Sequence, residues 1–295
     1  MMKTIHCITG PTASGKSAFA VKLAKRLDGE IINADSMQVY AELQVLSARP
    51  TKAEMAGVPH HLFGHIDPSV RYSTGHWLRE VDPLIIDILA RGKTPILVGG
   101  TGLYFKALTE GLAQIPKLPD GAMAQAQRIL DRDGIEALRN VAEQLDPQSA
   151  AKVLGNDPQR LLRIVSVAQG TGKTLSMWQQ NTKPVLPAGT GASSVWKGMV
   201  IWPKRENLYD KINARFADMI REGGLVEAKR VLKLDLAPDL PAMKAIGLRE
   251  LAAHLNGDLS LDEAIELAMR QTRRFAKRQY TWLRGQMPDW ERIPT

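Results

Sequence analysis

Eight residues near the amino terminus, Gly10-Pro11-Thr12-Ala13-Ser14-Gly15-Lys16-Ser17, constrain this chain more than any other stretch. They match G-x-x-x-x-G-K-[ST] at every fixed position, the spacing of a loop that wraps its backbone amides around a phosphate. The glycines let the chain curl so that successive N–H groups face an anion. Lys16 adds a positive charge, and the Ser17 hydroxyl is placed to ligate magnesium. The flanking residues agree with this reading. Residues 5–9 form a short apolar, β-prone run, and Ala20, Val21, Ala24 and Leu27 share one helical face behind the loop. Strand, glycine loop and helix amino terminus is the order in which the helix dipole also favours the anion.

A second strand is expected over residues 30–35, ending in Asp35. Ligands of an open parallel sheet gather at the carboxyl ends of its strands. Asp35 therefore belongs beside the phosphate loop, with Ser36 and Gln38 on the turn behind it; the alternative for Asp35 is a helix N-cap. Residues 94–98 read as a buried strand that delivers Gly99-Gly100-Thr101-Gly102 into a helix over 103–108, and residues 196–202 as a returning strand. Motor and switch NTPases usually end such a strand in a magnesium-holding acid. Here it ends in glycines, which weighs against ATP hydrolysis. Residues 43–71, punctuated by Pro50, Gly57, Pro59, Gly64 and Pro68, read as a loop bordering the site. His60, His61 and His65 within it lack a zinc-like arrangement. A helix over 74–90 follows, which Pro83 is expected to kink or split.

From about residue 120 to 180 the pattern is helical throughout, with helices expected over 122–132, 134–143, 147–154 and 158–168. Residues 183–194, rich in Gly, Pro, Ser and Thr, read as the linker out of this block. The fold class is therefore α/β, a P-loop NTPase-like parallel sheet flanked by helices, with an all-helical inserted subdomain. Residues 1–117 and 190–295 make the core and 118–189 the insertion. Within the insertion, Arg160 and Arg163 lie on one helical face. A second glycine-lysine run, Gly170-Thr171-Gly172-Lys173-Thr174, has Val167 where a phosphate loop needs its first glycine, and is set aside.

A helical stretch over 208–232, interrupted at Gly223-Gly224, turns Ile212, Phe216, Met219 and Ile220 inward with Arg215 at the edge of that stripe. The last helix, over 261–283, carries Leu261, Ala264, Ile265, Ala268, Thr272, Phe275 and Ala276 on one face. Arg270, Arg273, Arg274, Lys277 and Arg278 cluster on the other, with few acids among them. Together with a formal net charge of +8, this points to a phosphate-backbone partner. Cys7 is the only cysteine, so the chain holds no internal disulfide and no multi-thiolate zinc site. No apolar run reaches membrane-spanning length, so a cytoplasmic protein is expected, without a membrane partner. No repeat or heptad argues for an oligomer, and a monomer is expected.

Taken in order, several segments resemble the bacterial tRNA dimethylallyltransferases, also called tRNA isopentenyltransferases. They are the phosphate loop, Asp35-Ser36-Met37-Gln38-Val39-Tyr40, Gly57-Val58-Pro59-His60-His61 and Gly99-Gly100-Thr101-Gly102-Leu103-Tyr104. Later come Asn156-Asp157-Pro158-Gln159-Arg160, Ala245-Ile246-Gly247 and Thr272-Arg273-Arg274-Phe275-Ala276-Lys277-Arg278-Gln279-Tyr280-Thr281-Trp282. The resemblance covers nearly the whole chain. It implies transfer of a dimethylallyl group from dimethylallyl pyrophosphate to the exocyclic amine of the adenine 3′ of the anticodon, releasing pyrophosphate. The phosphate loop, Lys16 and Mg²⁺ would neutralise the leaving group.

By the same resemblance Asp35 is the base, Thr101 helps to position tRNA near the reacting groups, and Arg215 contacts the pyrophosphate. Contacts to the tRNA anticodon stem-loop fall to Asp35, Ser36, Met37, Gln38 and Thr101, and to Gln159, Arg160, Leu161, Leu162 and Arg163. Arg273, Arg274, Lys277 and Arg278 add charge. The chain departs from the family pattern at Ser47-Ala48-Arg49-Pro50, at Arg163-Ile164-Val165-Ser166, where an acid is lost, and at Leu248, where tyrosine is frequent. The main rival, a small-molecule kinase with Asp35 orienting the acceptor hydroxyl, explains the first forty residues as well but leaves the helical insertion and the one-sided basic helix without a purpose. A second rival is a non-catalytic RNA-binding protein with a nucleotide-sensing loop, in which Asp35 would serve folding alone.

Overall fold

The computed structural model describes residues 4–186 and 196–295, so residues 187–194 of the expected linker lie outside the described part. Six strands, β1 (Ile5–Thr9), β2 (Gly29–Asn33), β3 (His60–His61), β4 (Thr94–Gly99), β5 (Trp196–Trp202) and β6 (Glu291–Pro294), form one sheet in the order β3-β2-β4-β1-β5-β6. Every pairing is parallel. β1 lies between β4 and β5, with Cys7 opposite both Leu97 and Gly198, so the loop that leaves β1 emerges in mid-sheet. β2 and β4 are buried along their whole length, and the apolar centres Ile31-Ile32 and Ile96-Leu97-Val98 that this demands are why they are visible in the sequence. The edge strands are not: β3 is two histidines and β6 reads Glu-Arg-Ile-Pro, too short or too polar to give a pattern.

The chain divides into two compact units, Met1–Thr109 with Ala188–Thr295, and Glu110–Pro187. In the first, α1 (Lys16–Leu27) buries Ala20, Leu23 and Ala24 against Ile8, Ile31, Ile96, Val98, Met199 and Ile201 of the sheet. A single helical turn, α2 (Lys52–Met55), interrupts the long irregular segment and is closed by a Thr51–Glu54 capping box. Helix α3 (Thr74–Ala90) is one element with Pro83 inside it, so the expected split does not occur. Pro83 lies on the exposed face, where water can serve the carbonyl it leaves free. The opposite face buries Trp77, Val81, Ile85 and Ile88 and holds the helix in place. Trp77 is fully buried, stacks on Tyr104 of α4 (Gly102–Glu110) at 4.5 Å between ring centres, and donates its Nε1–H to the Asn33 carbonyl at 2.7 Å. That bond fixes the end of β2, next to the site.

The second unit is helical: α5 (Ala122–Leu145), α6 (Pro147–Ala150), α7 (Pro158–Thr171) and α8 (Leu175–Gln179). Gly134, at φ +83° and ψ −179°, breaks α5 into the two runs expected from the sequence. Helix α6 is a single turn, shorter than expected. Gly172 at φ +69° caps α7, which accounts for the glycine-lysine run there as a helix stop.

Back in the first unit, α9 (Arg205–Arg221) and α10 (Gly224–Leu232) are separated at Gly223, with φ +99°. They are followed by α11 (Leu248–Leu255), for which no expectation was drawn, and α12 (Leu261–Gln286), opened by a Ser260–Glu263 capping box. Among the described residues no helix is long and apolar enough to cross a membrane.

Candidate active site

The phosphate loop is shaped by local backbone geometry. A side chain at Gly10 would lie 2.8 Å from the Ile201 carbonyl oxygen, so β1 can turn there only with glycine. Ala13 and Gly15 both take left-handed conformations, at φ +60° and +85°, which turn the intervening amides to one side. The loop closes on itself through Ser14 N–H to the Pro11 carbonyl at 3.2 Å. The backbone N–H groups of Ala13, Gly15, Lys16, Ser17 and Ala18 donate to no acceptor among the described residues. The Ser14 hydroxyl is likewise buried without a partner among them. The first amides of a helix have no partner within it, and here they gather around a buried, unpartnered hydroxyl and the Lys16 ammonium, which makes the loop a place for an anion. Lys16 donates to the Pro11 carbonyl at 3.3 Å. Burial pushes its ammonium down to about 8; the Asp35 carboxylate pulls the other way, and Arg215 adds to the fall.

The end of β2 carries the acid. Asn33 accepts the Asp35 N–H at 2.8 Å and donates to the carbonyls of Asp35 and Leu62 at 3.0 and 2.9 Å, which fixes the turn. Asp35 Oδ1 accepts the Met37 N–H at 2.9 Å, a local turn instead of a helix cap. The other oxygen, Oδ2, faces the glycines after β4. A Cβ placed on Gly100 would lie 3.2 Å from it and 3.8 Å from Lys16 Nζ, so acid and cradle lysine flank one point. Gly99 packs so closely on Ala34 that a Cβ would fall 2.0 Å from its carbonyl oxygen; these glycines serve strand contact. The Thr101 hydroxyl accepts the Ser36 N–H at 2.9 Å and donates to the Ser36 hydroxyl at 3.2 Å, locking the Asp35–Ser36 turn.

Both groups open on one cavity of about 590 Å³ within the first unit. Residues 12–17 line it, with Asp35, Ser36, Met37, Gln38, Thr101, Arg215 and Arg278. Five cations, Lys16, Lys211, Arg215, Lys244 and Arg278, face only two carboxylates, Asp35 and Glu54. That surplus suits a multiply charged anion. The remaining walls are largely apolar, with Leu46, Phe216, Met219, Ile246 and Phe275 among them. Burial lowers the Arg215 guanidinium from its usual range against the pull of Glu54 and Asp35, and one of its nitrogens lies 3.4 Å from the Ala48 carbonyl. Gln38 donates to the carbonyls of Ser47 and Ala48 at 3.1 and 2.9 Å.

Not every expected contact residue is available. Leu161 and Leu162 of α7 pack into the core of the helical unit with Leu138, Ala142 and Val165. Direct nucleic-acid contact by these two is thereby corrected. A helix that lies on a core alternates faces every few residues, and the motif spans both. Gln159, Arg160 and Arg163 are exposed, with Arg160 3.5 Å from Asp157. On α12, Arg274 and Lys277 are exposed and Arg278 reaches the cavity. Arg273 is half-buried, donating to Asn213 at 2.6 Å with Glu266 at 3.7 Å, so it does not belong to the open basic face. The histidines each have a partner instead of a metal arrangement: His61 bonds Glu30 at 2.7 Å, His65 bonds Glu80 at 2.9 Å, and His60 bonds the Val58 carbonyl at 2.8 Å.

Sequence reading missed Lys211 and Lys244 on the cavity wall and a buried acid, Glu227. The Glu227 carboxylate accepts the N–H groups of Gln44, Val45 and Leu46 at 3.0, 2.8 and 2.9 Å, tethering the segment that offers Ser47 and Ala48. Its signal is an acid on the same helical face as Ala228 and Val231.

The sequence model of the IPP transferase family matches residues 38–286, and that of the isopentenyl transferases residues 3–62. The chain belongs to the IPP transferase family. Two relatives named tRNA dimethylallyltransferase, from Maricaulis maris and a Caulobacter species, are 53% and 49% identical to it. Those matches cover 98% and 99% of this chain and 92% and 93% of the relatives. Among solved structures of this transferase family, the tRNA isopentenylpyrophosphate transferase of Bacillus halodurans matches with a TM-score of 0.69 and 34% identity. That match covers 99% of this chain and 90% of the other. A eukaryotic dimethylallyltransferase described as acting on tRNA matches with a TM-score of 0.83 at 28% identity, over 99% and 74%. The IPP transferases thus share this P-loop NTPase-like sheet from end to end of the chain.

Proposed function

We propose that this chain transfers the dimethylallyl group of dimethylallyl diphosphate to the exocyclic N6 amine of the adenine 3′ of the anticodon in tRNA, releasing diphosphate. The observation that carries this reading is the shared cavity: a cradle of free amides with Lys16 and Arg215 on one side, and the Asp35 carboxylate beside it. An allylic C1–O bond ionises readily once the departing oxygens are neutralised. Residues 13–18, Lys16 and Arg215 hold the diphosphate as it takes the electron pair. The N6 amine is a poor nucleophile because its lone pair is delocalised into the ring. Asp35 Oδ2 accepts its proton as the N6–C1 bond forms, while the Asn33, Met37 and Thr101 contacts hold the carboxylate in place.

Mg²⁺ fits the donors present. Ser17 is exposed at the mouth of the cradle, and among the described residues no three His, Cys, Asp or Glu side chains gather to form a cage. So sparse a set suits an ion that keeps much of its water and takes phosphate oxygens for the rest. When bound it supplies further positive charge to the leaving group.

For the nucleic acid, the relatives' names supply tRNA, and the exposed Arg274 and Lys277 with Arg278 at the cavity wall supply charge. The adenine leaves the loop stack to reach the cavity, a low-energy step in single-stranded RNA. Ser36, Met37 and Gln38 meet it there. The helical unit, through Gln159, Arg160 and Arg163, grips the anticodon stem. The complete cavity comes from one unit of one chain, which supports a monomer, working in the cytoplasm where tRNA is found. Incubation with unmodified tRNA and labelled dimethylallyl diphosphate, with labelled ATP as the alternative donor, tests the reading. Label in adenine from the prenyl donor alone is expected, and label from ATP alone would favour a kinase.

A further inference from the structure

Gln279 is a polar side chain on the buried face of α12, only 8% exposed between Ala276, Tyr280 and Leu283. Its oxygen accepts the Thr12 N–H at 2.8 Å and its nitrogen donates to the Gly100 carbonyl at 3.0 Å. A backbone N–H can only donate and a carbonyl can only accept, so the orientation of the amide is dictated by its partners. These two partners lie in separate parts of the site. Thr12 opens the phosphate loop, and Gly100 leads into Thr101, whose hydroxyl holds the Asp35–Ser36 turn. A Cβ on Gly100 would lie 2.7 Å from Gln279 Nε2, and next from Asp35 Oδ2 and Lys16 Nζ. Gln279 therefore sits where acid, lysine and cradle converge, on the helix that also presents Arg274, Lys277 and Arg278.

We infer that Gln279 is a positioning residue that holds the diphosphate cradle and the Asp35 turn at a fixed separation. The inference rests on the reading of the cradle as a diphosphate site. Because Thr12 N–H is bound to Gln279, the first turn of the loop is oriented before any anion arrives, and the free amides of Ala13 and residues 15–18 are left aimed at it. No other side chain among the described residues bonds both the loop and the turn after β4.

The test uses the full chain with inorganic pyrophosphate and Mg²⁺ as probe, and steady-state turnover with tRNA as a second readout. Gln279→Glu keeps shape but, when ionised, cannot donate to Gly100. Gln279→Met keeps bulk and loses both bonds. Each is expected to weaken pyrophosphate binding about tenfold or more at pH 8, to raise the KM for the prenyl donor and to lower kcat as the Asp35 turn shifts. On lowering the pH, the carboxyl of the Gln279→Glu variant protonates, and its C=O and O–H reproduce the acceptor and donor of the amide. Its affinity relative to wild type at the same pH is then expected to recover, whereas that of Gln279→Met is not. Pyrophosphate affinities within about twofold of wild type, an unchanged kcat, or an acid variant that does not recover would each overturn the inference. If wild type binds pyrophosphate but prenylates nothing, the proposed function fails while this inference still stands or falls on the binding data.

Discussion

Raising the pH from 7 to 9 perturbs the cradle at one place, the Lys16 ammonium. In the folded chain burial brings it down to about 8, from an ordinary value of 10.5. That difference corresponds to about 3 kcal/mol of preference lost by the charged form in the empty site. A diphosphate restores the preference, because an anion beside the ammonium favours its charged state. The sign follows. Below pH 8 the lysine is already charged and donor binding moves no proton; above it, each diphosphate bound must carry a proton in with it. About nine-tenths of the cradles hold an ammonium at pH 7 and about one-tenth at pH 9, so affinity is expected to fall about tenfold across that range. Isothermal titration of pyrophosphate with Mg²⁺, in buffers of different ionisation enthalpy, reads the uptake directly: close to half a proton per ligand at pH 8. Lys16→Met should bind weakly and show neither this uptake nor the slope. Wild-type affinity that follows Lys16→Met at every pH, with no proton taken up at pH 8, would refute the reasoning.

Two further outcomes are expected. Replacing Arg274 and Lys277, which are exposed and do not line the cavity, by glutamine should lower tRNA affinity and reduce the slope of log affinity against log salt by about 1.5, leaving the donor KM nearly unchanged; an unaltered slope would make them solvated surface. Glu227→Gln replaces with an NH2 one of the two carboxylate oxygens that together accept the N–H groups of Gln44, Val45 and Leu46, leaving at least one of them facing a donor. It should lower stability in urea by about 1–3 kcal/mol and raise the donor KM as the Ala48 carbonyl loosens beside Arg215, and unchanged values of both would remove the tether from the account.

What the sequence made legible was whatever is decided locally. The phosphate loop is a matter of glycine placement and backbone angle, and it formed where the spacing said. Asp35 was placed by a short apolar strand and the rule that ligands gather at strand ends. The kink at Gly134 and the break at Gly223 come from residues whose own backbone preference is the cause. The rest depends on partners far apart in the chain. Glu227 meets residues 44–46, and Gln279 meets Thr12 from 267 residues away, and no periodicity encodes such a meeting. A polar residue on an otherwise buried helical face was the trace both left. Leu161 and Leu162 show the converse: five consecutive residues cover more than one turn of a helix, so a motif of that length cannot present a single surface, and these two face the core while Gln159, Arg160 and Arg163 face outward. Arg273 was read as free charge because helical spacing counts faces and says nothing of Asn213 opposite.

The most direct test is the rate of the chemical step in Asp35→Asn, measured in a single turnover with tRNA and dimethylallyl diphosphate both saturating. Asparagine keeps the shape and the acceptor for Met37 N–H but cannot take the N6 proton. A fall of about 10²–10⁴-fold, with tRNA and pyrophosphate affinities close to wild type, is the expected result. A rate within a few-fold of wild type would show that the adenine amine loses its proton to some other group.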